Sequence, residues 1–213
     1  MGSDQRRAEE HRPARDRDRA VAHARIDAAY DSRTAAAIAG SDVLYAIAAN
    51  TDITRTWPVN GRYSPAQREV YDIVLDAQLA AIAQVYPGNH WNAPHDAAVE
   101  VVTRGLVRAG LLKGKVSGLV KDGAYRKFFM HRTGHWLGLD VHDVGDYKVG
   151  DEWRVLEPGM AMTIEPGIYI STRALDVLPD TPKNRAFIAA VRAKVKQYEG
   201  VGVRIEDDYI LTD

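Results

Sequence analysis

The 213-residue chain contains no cysteine, and no apolar stretch in it is long enough to span a bilayer. Without cysteine there are no disulfides and no thiolate ligands, so a metal site must use oxygen and imidazole donors. The N-terminus also lacks the apolar core of a signal peptide. With 46% hydrophobic and 27% charged residues, the chain is therefore expected to be one principal domain of a cytoplasmic protein without membrane contact.

Large aliphatic residues are scarce in the first 40 positions, where arginine, alanine, aspartate and histidine dominate. We expect residues 1–40 to be a charged helix or a disordered arm, separate from a folded domain over 41–213. Binding to nucleic acid is disfavoured, because the basic residues alternate with acids, no aromatic stacking pattern accompanies them, and the net charge is −1.

Three of the seven histidines fall within one glycine-containing run, 131–143: His131, His135 and His142. Glycine lets the backbone approach a ligand closely. A single histidine is usually a structural residue held by hydrogen bonds. Three in one such run favour a metal or substrate site instead.

Two glutamates lie on the polar faces of predicted strands. Alternation in 160–165 sets Glu165 opposite the apolar residues, directly before a Pro-Gly pair that suits the rim of a sheet. Alternation in 202–211 sets Glu206 and Arg204 on one face, so that Arg204 can steady the glutamate or a substrate carboxylate.

A third predicted strand, 52–59, places Asp52 with Thr54 and Thr56 on its polar face and ends at an Asn-Gly turn. Each acid taken alone is more simply a surface charge. Several acids that converge at a buried centre would repel one another unless a cation neutralised them. The combination therefore favours a metal centre.

Three helices are predicted around these strands. The first begins at the capping box 64–67 and ends before Pro87, the second covers 93–109, and the third covers 184–197. His90 and His95 flank the start of the second helix, where capping or packing explains them better than metal ligation.

Four segments, in this order, resemble the aminopeptidase P group of the pita-bread metallopeptidase family: 52–56, 131–143, 156–169 and 202–208. The resemblance runs from Asp52 to the C-terminus. It implies an α+β pita-bread fold, a curved antiparallel sheet covered by helices, with the first repeat incomplete in this chain.

The resemblance also implies roles for single residues. Four side chains are ligands of two divalent metal ions, expected to be manganese: Asp52, His135, Glu165 and Glu206. Four others bind substrate, handle protons or contact the ligand carboxylates: His131, His142, Arg204 and Tyr169. The aromatic rings of Trp136 and Tyr169 are either part of a proline pocket or plain core residues.

The family pattern has a further aspartate ligand eleven residues before Asp52, where this chain has Ser41. Asp42 is a candidate replacement, but it is one residue out of register and needs a bulge or a shortened turn to face the site. The family's N-terminal domain and first repeat have no match in 1–40, which suggests a truncation or a shifted reading frame. The strand edges and helix faces left uncovered predict weak solubility or self-association into a homo-oligomer.

The implied function is a metal-dependent exopeptidase that cleaves proline-containing peptides between the N-terminal residue and the following proline, using a metal-bridged hydroxide. Ser41 and the lost upstream half favour an alternative, a non-catalytic remnant or interaction protein. An Xaa-Pro dipeptidase or a creatinase-like hydrolase would share the fold, although the run 136–143 is more similar to aminopeptidase P.

Overall fold

The computed structural model describes residues 52–138 and 141–212, together with the backbone of two strands, β1 (Ala35–Ala37) and β2 (Val43–Ile47). Strand β1 falls inside the predicted arm and pairs with β2; the remainder of the arm lies outside the described residues. Ser41 and the candidate ligand Asp42 lie outside them as well.

The other strands are short, and every strand pair in the described residues is antiparallel. They are β3 (Thr54–Pro58), β4 (Leu137–Gly138), β5 (Val141–His142), β6 (Lys148–Val149), β7 (Glu152–Trp153), β8 (Ala161–Ile164), β9 (Gly167–Tyr169), β10 (Gly202–Arg204) and β11 (Asp207–Ile210).

Several of these strands form small antiparallel sheets, which further backbone hydrogen bonds join to one another. Strands β1, β2 and β3 are neighbours in that order, β8 pairs with β11, and β9 pairs with β10. Reciprocal backbone hydrogen bonds between Thr54 and Glu206 join β3 to the β10–β11 segment. On the far side, the amides of Thr163 and Glu165 donate to carbonyls in 133–135. These hydrogen bonds therefore bring the histidine run close to the three segments that carry Asp52, Glu165 and Glu206.

In the described part of the chain, five α-helices accompany the sheet: α1 (Pro65–Ile82), α2 (Ala93–Arg108), α3 (Val116–Lys121), α4 (Thr172–Asp176) and α5 (Pro182–Gln197). The predicted capping box is present, since the Ser64 hydroxyl accepts from the Gln67 amide and the Gln67 side chain accepts from the Ser64 amide. No helix among the described residues is long and apolar enough to cross a membrane.

The core lies between the helices and the sheet. The predicted apolar positions of α1 are buried: Val70, Val74, Ala77 and Ala81. They belong to one cluster with sheet residues such as Met162, Ile164 and Ile168. Full burial of an aliphatic side chain contributes about 1.5–3 kcal/mol, so this cluster is a main source of stability. Gln78 is an exception, a polar residue only 3% exposed on the apolar side of α1.

The predicted strand over 202–211 is interrupted. Strand β10 ends at Arg204 and β11 begins at Asp207, although both halves keep one register against β9 and β8. In this register Ile205 lies opposite Pro166, which has no amide hydrogen to donate to the ladder. Glu206 lies opposite Glu165 and instead exchanges backbone hydrogen bonds with Thr54. The prediction of a continuous strand was therefore wrong at these two residues.

Candidate metal centre

Asp52, His135 and Glu206 meet on the face of the sheet that points away from α1. Each offers one donor atom, and the three atoms lie within 4.8 Å of one another. A fourth candidate, Glu165, places Oε1 3.9 Å from His135 Nε2. The structure thus brings together four of the five residues that the sequence nominated as metal ligands, the fifth being Asp42.

The hydrogen bonds of His135 fix which ring nitrogen is available. Its Nδ1 lies 2.9 Å from the carbonyl oxygen of Trp136, which can only accept, so Nδ1 carries the hydrogen. In the neutral ring, Nε2 then keeps its lone pair, and Nε2 is the atom that faces Asp52 Oδ2 at 2.9 Å. A backbone carbonyl on the far nitrogen is the usual arrangement for a metal-binding histidine.

The two glutamates lie opposite each other, Glu165 between β8 and β9 and Glu206 between β10 and β11, and are almost removed from water. Glu206 is 1% exposed. Burial, opposed by the Thr54 hydrogen bond and by Arg204, raises the pKa of Glu206 from 4.5 to about 7. Burial and the negative charge of Glu206 raise the pKa of Glu165 from 4.5 to about 7 as well. Both carboxyl groups hold protons more tightly than normal because burial penalises their charged forms by more than Arg204 offsets.

Arg204 and Thr54 are the main partners of these carboxylates. Arg204 Nη1 lies 3.7 Å from Glu165 Oε2, and its Nε lies 3.5 Å from Glu206 Oε2 without forming a hydrogen bond. The Thr54 hydroxyl donates to Glu206 Oε2 at 2.5 Å. Thr54 was not nominated from the sequence, but its place on the polar face of the Asp52 strand was visible there.

Asp208 is a second residue that was not nominated. Its Oδ2 accepts a hydrogen bond from the Asp52 amide at 3.2 Å, and its Oδ1 is buried without a hydrogen-bond partner. Asp208 follows Glu206 by two positions, so strand alternation puts both on one face. This spacing of two residues could have predicted from the sequence that Asp208 lies near the site.

His131 and Tyr169 form a pair beside the carboxylates. His131 Nδ1 lies 2.7 Å from the Arg132 carbonyl oxygen and so carries the hydrogen, while Nε2 accepts from the Tyr169 hydroxyl at 3.1 Å. Burial lowers the pKa of His131, which favours this neutral form. Gly167 makes the pairing possible, because a Cβ there would lie 2.7 Å from the Tyr169 oxygen.

His142 is exposed, and its ring centroid lies 4.2 Å from that of His135. It is therefore at the solvent side of the site. Trp136 is buried and contacts Trp91 and Tyr147, with ring centroids 4.0 and 6.0 Å away. These contacts make Trp136 a core aromatic whose ring anchors the histidine run to Trp91 and Tyr147.

His95, on α2, contacts the histidine run through Thr133. It is 8% exposed, and its Nδ1 lies 2.8 Å from the hydroxyl of Thr133. Burial and the charge of Arg132 lower the pKa of His95 to about 3. The expectation that this histidine packs, rather than binds a metal, agrees with its position.

The donor set fits a divalent cation. The carboxylates of Asp52, Glu165 and Glu206 and one neutral imidazole nitrogen are hard and borderline ligands, typical of manganese, magnesium or zinc. Within the described residues, Arg204 is the cationic side chain that faces these acids, and the Asp208 Oδ1 atom is buried without a hydrogen-bond partner. A bound cation would offset the cost of burying two charged carboxylates, which is the main cause of both raised glutamate pKa values.

Comparisons with known proteins agree with these features. The model of metallopeptidase family M24 matches residues 42–213. The Xaa-Pro aminopeptidase of Haemophilus influenzae is 49% identical over 162 residues, which cover 76% of this chain and 33% of that protein. The solved Pseudomonas aeruginosa aminopeptidase PepP is 51% identical with a TM-score of 0.67, covering 83% of this chain and 38% of that one.

A second solved structure, proline aminopeptidase P II from Yersinia pestis, is 44% identical with a TM-score of 0.65 and covers 80% of this chain and 36% of that one. The chain therefore spans about a third of the length of these relatives. The likeness confirms the pita-bread fold expected from the sequence. On the family match and these identities, the chain belongs to metallopeptidase family M24.

Proposed function

We propose that this chain is the metal-binding catalytic part of an Xaa-Pro aminopeptidase, which releases the N-terminal residue that precedes a proline. The observation that carries the proposal is the meeting of donors from Asp52, His135 and Glu206 within 4.8 Å. Relatives named Xaa-Pro aminopeptidases support the choice of substrate. Because the chain spans about a third of those relatives, its own activity needs a direct test.

In this proposal two divalent ions are held by Asp52, His135, Glu165 and Glu206, with Asp42 as a further candidate ligand. We propose manganese, because carboxylate and imidazole donors without thiolate suit it. When bound, the ions would acidify a coordinated water and polarise the carbonyl of the bond before proline.

The other residues of the site bind the peptide and move protons. His131 Nε2 carries no hydrogen and accepts from the Tyr169 hydroxyl, so a substrate N–H that replaced this hydroxyl could donate a hydrogen bond or a proton to it. His142, which is exposed beside His135, would donate a hydrogen bond to the carbonyl oxygen as negative charge develops there. Glu165 is placed to carry a proton to the leaving amine, and Arg204 holds the glutamates in position.

The test is release of the N-terminal amino acid from an Xaa-Pro-Yaa tripeptide by manganese-loaded protein. Glu206→Gln, which keeps the shape but not the charge of the side chain, is expected to reduce the rate to background. Asp72→Asn removes one half-exposed carboxylate of α1, which pairs with Arg68 on the same helix, and is expected to keep the rate. Equal rates in all three proteins would point to a contaminating peptidase and contradict the proposal.

A non-catalytic role is the second candidate, favoured by Ser41 at the position of the family's first aspartate ligand. A folded protein that cleaves no tripeptide would support it. Cleavage of an Xaa-Pro dipeptide in preference to the tripeptide would instead indicate a dipeptidase.

A further inference from the structure

Behind the candidate metal centre, on the helix-covered side of the sheet, lies a cluster of three polar side chains: Arg55, Gln78 and Asp207. They come from β3, α1 and β11. Arg55 alternates with Thr54 along β3, and Asp207 follows Glu206, so both point away from the metal-site face. Within the described residues, none of the three side chains hydrogen-bonds to the side chain of a candidate metal ligand.

Asp207 is the centre of this cluster and uses both of its oxygens. Oδ1 accepts from Arg55 Nη2 at 2.6 Å, and Oδ2 accepts from Gln78 Nε2 at 3.0 Å. Gln78 is 3% exposed on an otherwise apolar helix face. A buried amide is costly unless it is hydrogen-bonded, so a glutamine at this place needs its partner.

The cluster holds the backbone next to both glutamates. Arg55 Nη1 donates to the carbonyl oxygen of Glu206 at 2.7 Å, and Gln78 Nε2 lies 3.5 Å from that of Ile164, the residue before Glu165. Glu206 lies in the gap between β10 and β11, and its backbone exchanges hydrogen bonds with Thr54, the neighbour of Arg55 on β3. Its orientation therefore depends on how β3 is held against this gap, and Arg55 adds a side-chain hydrogen bond at the same carbonyl.

We propose that Arg55, Gln78 and Asp207 are positioning residues that aim the Glu206 carboxylate at the metal site by fixing its peptide group from the opposite face of the sheet. An ordinary surface ion pair would engage only Arg55 and Asp207. Here the second guanidinium nitrogen reaches the Glu206 carbonyl, and a buried amide from a helix completes the arrangement. The inference rests on the proposed metal-binding function.

The experiment measures binding of manganese(II) alone, from the free-ion electron paramagnetic resonance signal, and the visible spectrum of the cobalt(II)-loaded protein. Gln78→Met keeps size and charge, so it removes the hydrogen bonds without altering the electrostatic attraction of the metal. We expect it to raise the manganese dissociation constant about tenfold, the range typical of residues that orient metal ligands. A shifted cobalt spectrum should accompany this loss, because the ligand geometry changes.

Arg55→Lys and Asp207→Asn should act in the same direction. Asp72→Asn is the matched control for Asp207→Asn, since both replace an aspartate that pairs with an arginine. Asp72 pairs with Arg68 within α1, and its side chain is 47% exposed. Asp72→Asn should leave both the manganese dissociation constant and the cobalt(II) spectrum unchanged. If Asp207→Asn fails to fold, the Gln78 and Arg55 variants decide the question.

Wild-type manganese affinity and a wild-type cobalt spectrum in Gln78→Met and Arg55→Lys, even with lowered melting temperatures, would overturn the inference and leave the proposed function intact. A folded wild-type protein that binds no manganese would overturn both.

Discussion

The hydroxyl of Thr54 donates to Oε2 of Glu206 across 2.5 Å, while the backbones of the same two residues exchange hydrogen bonds in both directions. This pair links the strand that follows Asp52 to the strand segment that carries the second glutamate. It therefore couples two proposed ligands that lie far apart in the sequence.

Thr54→Val keeps the shape of the side chain but removes the hydroxyl. The buried Glu206 carboxylate then loses a donor that favours its charged form, so we expect a loss of about 1–3 kcal/mol in the free energy of unfolding. Manganese affinity should fall about tenfold. Urea unfolding and a manganese titration measure the two effects.

Thr103→Val is the control for this variant, because the Thr103 hydroxyl is also buried but donates to the Val99 carbonyl within α2. It should leave manganese affinity unchanged. Equal manganese affinity in Thr54→Val and wild-type protein would contradict a role for Thr54 at the site.

The metal-free protein should lose stability as the pH rises. Burial raises the pKa of both Glu165 and Glu206 from 4.5 to about 7, so between these values the folded state binds more protons than the unfolded state. The stabilisation is complete below pH 4.5 and is lost as the pH rises through 7. Melting temperatures of wild-type and Glu206→Gln protein across this range should diverge, with the shallower dependence in the variant.

Metal ions should act in the opposite direction, because they need both carboxyl groups ionised. The rise in melting temperature on adding manganese should be larger at pH 8 than at pH 6, and chelation should abolish it. A manganese effect that is independent of pH would contradict the placement of these glutamates at the metal site.

His95 should make the protein sensitive to acid in a different range. Burial and Arg132 lower the pKa of His95 from 6.5 to about 3. Between these pH values the imidazole is therefore protonated in the unfolded state and neutral in the folded state. Its stabilisation is complete above pH 6.5 and is lost as the pH falls towards 3. Between pH 6.5 and 5 this amounts to about 2 kcal/mol.

His95→Asn keeps a hydrogen-bonding group near Thr133 but cannot titrate. We expect its free energy of unfolding to fall less than that of wild-type protein between pH 7 and 5 in denaturant titrations. The same slope in both proteins would show that His95 is protonated in the folded state.

Gly134 is in the histidine run where it crosses β8, and a Cβ at this position would overlap the carbonyl oxygen of Thr163. Gly134→Ala therefore forces the run away from the sheet and should destabilise the protein by more than about 3 kcal/mol, as overpacking against a backbone does. Gly118→Ala is the control, because Gly118 is exposed in α3 with open space around it, and alanine there should stabilise by up to about 1 kcal/mol. Thermal unfolding compares the two.

The sequence predicted the parts of this protein that depend on local pattern. The capping box at Ser64, the apolar stripe of α1 and the faces of the strands carrying Glu165 and Glu206 all follow from short-range periodicity. The resemblance to a family supplied the fold and the candidate ligands. A cytoplasmic location, a homo-oligomer and the contribution of Asp42 stay predictions.

Contacts between distant segments could not be read from pattern alone. Thr54 meets Glu206 across 152 positions, and His95 meets Thr133 across 38. Nothing local distinguishes Thr54 from any other threonine on a polar strand face. Gln78 did leave a signal, a polar residue within an apolar stripe, but its partner Asp207 is 129 positions away.

The β8–β11 and β9–β10 pairs keep one register across the interruption at Pro166. This shared register fixes the number of residues that the segment 202–210 can contain. Adding or removing one residue between 202 and 206 would exchange the two faces of the segment beyond it. Glu206 and Asp208 would leave the site, and Ile205 and Asp207 would turn towards it. Functional variants of this segment should therefore differ by substitution and keep its length fixed.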